Sequence, residues 1–334
     1  MHDGLDCSKC NVLPWCGPRV PSPFGGVRWR QPSSRRVRSR LLIGLVSAAL
    51  SLVLLPAAAL AQAIVIGAKE FTEQLLVSEM TSQLLRARGF NAHKGTGFAT
   101  TGIRTLQEHG IIDLYWEYTG TSLTTFNQVT EKLSPEETYE RVKALDAQRG
   151  LVWLAPSKVN NTYALAMRRA DAAAKRIRSI SDLAARVREG EAMRLASTVE
   201  FLTRSDGLKP LQRTYGFEFA LGNVVGMETG AIYNALRRQS EFDVGVVFAT
   251  DGRISAFDLT ILRDDRLFFP SYLLTPVVRD ATLRRHPTLR TVLESLSARL
   301  DNETMISLNA AIDLSGRKVE DVANEFLRSR ALLP

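Results

Sequence analysis

The sequence predicts an α/β fold with largely parallel sheets. Two observations carry that expectation. Short runs rich in β-branched residues recur from residue 63 to residue 278, and segments with helical spacing and recognisable end signals separate them. The same stretch shows neither an internal repeat nor a low-complexity tract.

Each element has its own warrant. Residues 63–68 (AIVIGA) read as a buried strand. Residues 71–88 follow as a helix, with Leu76, Met80 and Leu84 recurring every fourth position and Gly89 ending it. Residues 111–114 read as a second strand. Ser134-Pro135-Glu136-Glu137 starts a helix: the serine caps, the proline sits at the first position and Glu137 completes a capping box. Residues 151–154 and 162–167 read as strands, and 181–187 as the start of a helix. A second unit follows, with strands at 193–196 and 244–248 and a helix at 229–238 between them. Residues 259–262 and 273–278 look like returning strands, and two helices at 289–300 and 319–329 close the chain. In such folds ligands sit beyond the C-terminal ends of strands, beside helix N-termini.

The formal charge of +8 invites a nucleic-acid reading, but its distribution argues against one. Residues 1–61 hold eight Lys/Arg and two acids, whereas residues 62–334 carry 35 basic and 33 acidic residues. The body is close to neutral and has no concentrated basic face for a polyanion.

Arg35, Arg36, Arg38 and Arg40 precede a 15-residue apolar run at 41–55; Pro56 then breaks the helix and Ala59-Leu60-Ala61 offers small residues for cleavage. That order predicts a secretory signal peptide spanning 34–61 and cut after Ala61. A retained membrane anchor is the alternative, for which the run falls short of a span of about 20 residues. Ser34-Arg35-Arg36 hints at twin-arginine export, but Val37-Arg38 fits poorly, which favours the general route. Cys7, Cys10 and Cys16 all lie upstream, in an expected unstructured extension over 1–33, so the processed chain would have no disulfide, thiol nucleophile or lipid-anchor cysteine.

Residues that could carry catalysis are sparse. His93, His109 and His286 lack metal-ligand spacing, and neither a Gly-x-Ser-x-Gly elbow nor a phosphate loop ending in Gly-Lys-Ser/Thr is present. Gly95-Thr96-Gly97 reads as a turn, and Asp264-Asp265 as a solvated turn. No cofactor, metal or catalytic residue is expected.

Aromatic residues gather where strands end. Tyr115, Trp116 and Tyr118 fall just past the strand at 111–114; alternation points Tyr115 and Trp116 to opposite faces, so at least one belongs to the core. Tyr163 follows Asn160-Asn161-Thr162, Phe248 ends an apolar run, and Phe268, Phe269 and Tyr272 flank Pro270. Several rings beside turns suit a quaternary ammonium. That cation donates no N–H bond, so ring faces supply the attraction, worth about 0.5–2 kcal/mol each.

At this point the residues resemble a family: the substrate-binding proteins of glycine betaine/choline/carnitine ABC importers, which take up osmoprotectants. The resemblance rests on Gly67-Ala68-Lys69-Glu70-Phe71-Thr72-Glu73-Gln74, on DLYWEYTGT at 113–121, and on Asn160-Asn161-Thr162-Tyr163-Ala164-Leu165. Phe201-x-x-Arg204-x-Asp206-Gly207, Phe248-Ala249-Thr250-Asp251-Gly252-Arg253-Ile254 and Phe269-Pro270-x-Tyr272 continue it in order. It implies a two-lobe periplasmic-binding-protein fold of type II, with lobe one at 62–165 plus 277–334, lobe two at 166–276, and ligand in the cleft. It places the aromatic cage on Tyr118, Tyr163, Tyr272 and Phe248, the last where tyrosine is common, with Phe201 closing the pocket from lobe two. A ligand carboxylate would be met by Lys69, Thr121 and Arg204. The chemistry of those three suits an oxyanion, and Lys69 also precedes a helix N-terminus. The implied protein is a periplasmic monomer serving an ABC permease in the inner membrane, with no nucleic-acid partner. A changed ligand such as an amino acid, or an exported sensor or enzyme on the same scaffold, is the alternative. A primary ammonium would want carboxylates and other acceptors rather than rings.

Overall fold

A computed structural model of the chain describes residues 63–238 and 241–334. The expected extension, signal peptide, cysteines and cleavage point lie outside the described residues.

Ten strands are present among those residues: β1 (Ile64–Lys69), β2 (Ala92–Phe98), β3 (Leu114–Tyr118), β4 (Leu151–Trp153), β5 (Tyr163–Arg168), β6 (Leu195–Ser197), β7 (Val224–Gly226), β8 (Val244–Phe248), β9 (Leu259–Ile261) and β10 (Leu274–Arg279). The longer helices are α1 (Thr72–Ala87), α2 (Thr100–Glu108), α3 (Pro135–Ala147), α4 (Ile180–Arg188), α5 (Leu208–Tyr215), α6 (Thr229–Arg237), α7 (Leu289–Ser297), α8 (Asn302–Asp313) and α9 (Val319–Ser329).

The strands form two five-stranded sheets with the same plan, β2-β1-β3-β10-β4 and β7-β6-β8-β5-β9. In the first, β2, β1 and β3 run parallel and β10 lies antiparallel between β3 and β4. In the second, β7, β6 and β8 run parallel and β5 lies antiparallel between β8 and β9. Each antiparallel strand is the first the chain enters after crossing from the other sheet. The expected lobe limits at 165 and 276 would cut β5 and β10 in two. Sheet membership keeps both strands whole, so each change of sheet falls a few residues earlier. This plan places site residues: Tyr163 sits opposite Phe248 across β5 and β8, and Tyr118 opposite Leu274 across β3 and β10.

Most expected elements appear within a few residues of their predicted limits, and the capping box at Ser134 and Glu137 forms as read. Four readings need correction. Tyr115, Trp116 and Tyr118 lie within β3 rather than beyond it. All five residues of β3 are buried, because it is an interior strand with both faces covered. The Tyr115 phenol donates to Glu117 and the Trp116 indole to Thr81, so both rings are core. Gly95-Thr96-Gly97 belongs to β2, an edge strand whose polar, glycine-bearing sequence hides its pairing with β1. Asp264 is an anchor rather than a solvated turn, since it accepts from the Tyr215 phenol and from the backbone N–H groups of Phe268 and Phe269. Finally, the helices α2, α5 and α8 and the short strand β7 were not anticipated. Asp301 caps α8 by accepting from the Thr304 N–H.

Candidate functional site

A cavity of about 400 Å³ opens between the two sheets. Its wall combines the ends of β1 and β3 and the start of α1 with the end of β8, the short helix Val199–Thr203 and the start of α6. Seven of the eight residues singled out from sequence line it: Lys69, Tyr118, Thr121, Tyr163, Arg204, Phe248 and Tyr272.

Phe201 does not. It is fully buried, with its ring 5.1 Å from that of Tyr163, so it backs the cage instead of closing it. The sequence reading also missed a ring that does line the cavity, Phe71. Phe71 stacks on Phe248 at 5.5 Å and on Tyr118 at 6.2 Å. Tyr163 meets Phe248 at 5.0 Å and stands edge-on to Tyr272 at 5.7 Å. Phe71 lay inside the Gly67–Gln74 motif, two positions after Lys69, and that adjacency was the available signal.

The cage phenols are fixed from behind. Tyr118 donates to Glu73 Oε1 at 2.8 Å, and Tyr272 to Asp206 Oδ2 at 2.6 Å. Burial first, then the neighbouring carboxylates, push both phenol pKa values well above the ordinary tyrosine value, so both stay protonated donors.

The two cations are already partnered. Lys69 Nζ lies 2.7 Å from Glu117 Oε1, with both side chains buried, and 5.2 Å from the Tyr118 ring centre. Arg204 forks Asp206, Nε to Oδ1 at 2.6 Å and Nη2 to Oδ2 at 2.7 Å, while Nη1 donates to Glu200 Oε1 at 2.9 Å. Its guanidinium lies 5.2 Å from the Tyr163 ring centre. Burial disfavours that charge, but the Asp206 carboxylate, hydrogen-bonded and charged, more than offsets it and keeps Arg204 protonated. The local fold demands glycine behind it: a Cβ on Gly207 would stand 2.0 Å from the Phe201 carbonyl oxygen. On the far wall Glu200, Met227 and Glu228 also line the cavity, none of them anticipated as site residues.

Chemically, the arrangement can surround an apolar-skinned cation with rings and present one guanidinium edge and one hydroxyl beside it. Among the described residues, no group of three or more His, Cys, Asp or Glu side chains is placed to hold a metal ion. The family described as the substrate binding domain of ABC-type glycine betaine transport systems matches residues 62–329. The chain belongs to this family. Within it, a glycine-betaine-binding protein of Pseudomonas aeruginosa is 42% identical over 285 residues, 83% of this chain and 91% of that protein. The glycine betaine-binding protein YehZ of Escherichia coli is 31% identical over 84% of this chain and 96% of its own length. Among solved structures, apo YehZ aligns with a TM-score of 0.61 at 30% identity, over 81% of this chain and 100% of that one. A glycine betaine/carnitine/choline ABC transporter structure aligns with a TM-score of 0.66 at 27% identity, over 80% and 99%. The two-sheet α/β architecture is thus that of the type II binding proteins in this family of ABC substrate-binding domains.

Proposed function

We propose that this chain is an exported solute-binding protein. It captures a quaternary ammonium compound, glycine betaine, choline or a similar molecule, in the inter-sheet cavity and delivers it to an ABC permease in the inner membrane. The observation that carries this reading is the ring assembly of Phe71, Tyr118, Tyr163, Phe248 and Tyr272 around one cavity. A trimethylammonium group has no N–H to donate, so ring faces are its natural partners.

A carboxylate on the ligand would turn toward Arg204 and Thr121. Asp206 occupies one edge of the guanidinium, leaving Nη1, which now rests on the 41%-exposed Glu200 side chain, as the edge a ligand can claim. Lys69 adds positive charge nearby. The protein works as a monomer in the periplasm after its signal peptide is removed behind Ala61. It performs no chemistry; binding draws the lobes together, and the closed form docks on the permease.

Calorimetric titration of the protein expressed from the full sequence tests this. Tyr118→Ala should weaken glycine betaine and choline alike. Arg204→Ala should weaken glycine betaine by about tenfold or more and choline much less. Binding of neither ligand to folded, ligand-free protein would overturn the reading.

A further inference from the structure

We infer that Glu73, hidden behind the cage, determines how strongly the site prefers a cation over an uncharged molecule of the same shape. The inference rests on the binding reading above and deepens it.

Glu73 is 2% exposed. Its carboxylate accepts from the Tyr118 phenol at 2.8 Å, Asn161 Nδ2 at 2.9 Å, the Thr250 hydroxyl at 2.6 Å and Asn309 Nδ2 at 3.3 Å. Every one of these donors is neutral. Other acids around the cavity differ: Glu117 holds Lys69, Asp206 and Glu200 hold Arg204, and Asp251 and Asp313 hold Arg253, while Glu70 and Glu228 are exposed to solvent. Among the described residues Glu73 forms no ion pair, and it is buried.

An unpaired buried carboxylate is costly, and four neutral donors offset that cost only in part. Burial is the larger effect and holds its pKa above the ordinary carboxylate value, while the four donors pull it back down. Because all four partners donate, the ionised form is the one they satisfy. The donors come from β3, from the crossing before β5, from the turn after β8 and from α8, so the charge is fixed in place from both halves of the molecule.

Two effects then reach a cation in the cavity. The charge attracts it directly through a medium of low dielectric. The phenol of Tyr118, donating to an anion rather than to water, also becomes richer in electron density, and its ring faces the ligand. Neither effect acts on a neutral molecule. A role confined to tying the lobes together would affect charged and uncharged ligands equally.

The test titrates choline and its uncharged carbon analogue 3,3-dimethylbutan-1-ol into wild type, Glu73→Gln and Tyr118→Phe. Glu73→Gln should weaken choline by about tenfold while changing the analogue by less than about twofold. Tyr118→Phe, which cuts the link but keeps the charge, should lower the choline-to-analogue ratio by a smaller factor. Equal weakening of both ligands, or an unchanged ratio in both variants, overturns the inference and leaves the binding reading intact. Should Glu73→Gln fail to fold, an unchanged ratio in Tyr118→Phe overturns it alone. Absence of choline binding in wild type overturns the binding reading itself, and this inference with it.

Discussion

The Tyr272 phenol and the Arg204 guanidinium meet on a single carboxylate, Asp206, at 2.6 Å and at 2.6 and 2.7 Å. The Thr124 hydroxyl donates to the same group at 2.6 Å. One buried acid therefore holds a cavity ring and the Arg204 guanidinium at once and ties them to the segment after β3. Asp206→Asn leaves Arg204 buried with only the half-exposed Glu200. Breaking a buried pair costs about 3–5 kcal/mol, so the variant should unfold at clearly lower denaturant concentration and bind glycine betaine more weakly. Unchanged unfolding would show that Asp206 is not the anchor described.

Acid stability should report two buried carboxylates of opposite sense. Burial alone would raise Asp206, but Arg204, Thr124 and Tyr272 hold it below its ordinary value of 3.8. Its contribution is thus present above that value and is lost only as pH falls through the lowered one. Burial holds Glu73 above its ordinary value of 4.5. Its contribution runs the other way, full below 4.5 and lost as pH rises through the raised value. Unfolding free energy measured against pH should therefore climb more with rising pH above 4.5 in Glu73→Gln than in wild type. Parallel curves would contradict the assignment.

In the proposed binding mode, Glu200 competes for the guanidinium edge that a ligand carboxylate would take. Glu200→Gln should tighten glycine betaine by a few-fold, about 0.5–1 kcal/mol, and leave choline unchanged or slightly weaker. Calorimetry with both ligands decides it. Weakened glycine betaine would mean that Glu200 orients Arg204 rather than blocking it.

Phe71 bridges the rings of Tyr118 and Phe248. Phe71→Ala should weaken any quaternary ammonium by about 0.5–2 kcal/mol, roughly 2- to 30-fold, with the fold retained. Circular dichroism alongside titration separates lost binding from lost structure.

Much of this site was legible in the sequence because its residues sit in short motifs at strand ends, where α/β folds place ligands. Seven of the eight predicted residues share one cavity wall for that reason. Phe201 failed because a motif position does not say which way a ring points, and the short helix capped by Thr198 turns it inward behind Tyr163. The carboxylates were harder to see. Glu73 and Asp206 both lay in quoted motifs, but their partners stand up to 236 positions away, at Asn309. Only the folded crossings bring such residues together. Edge strand β2 and helix α8 escaped because neither carries a strong apolar rhythm: β2 is half-exposed, and only Met305 and Asn309 of α8 are buried.

The central claim is that ring faces, not hydrogen-bond acceptors, recognise the ligand's ammonium group. Calorimetry of the wild-type protein with glycine, dimethylglycine and glycine betaine tests it most directly, because the series replaces N–H groups by methyl groups while keeping the carboxylate. Affinity should rise with each methyl added and be greatest for glycine betaine. Tightest binding of glycine itself would contradict the account and point to an amino-acid ligand.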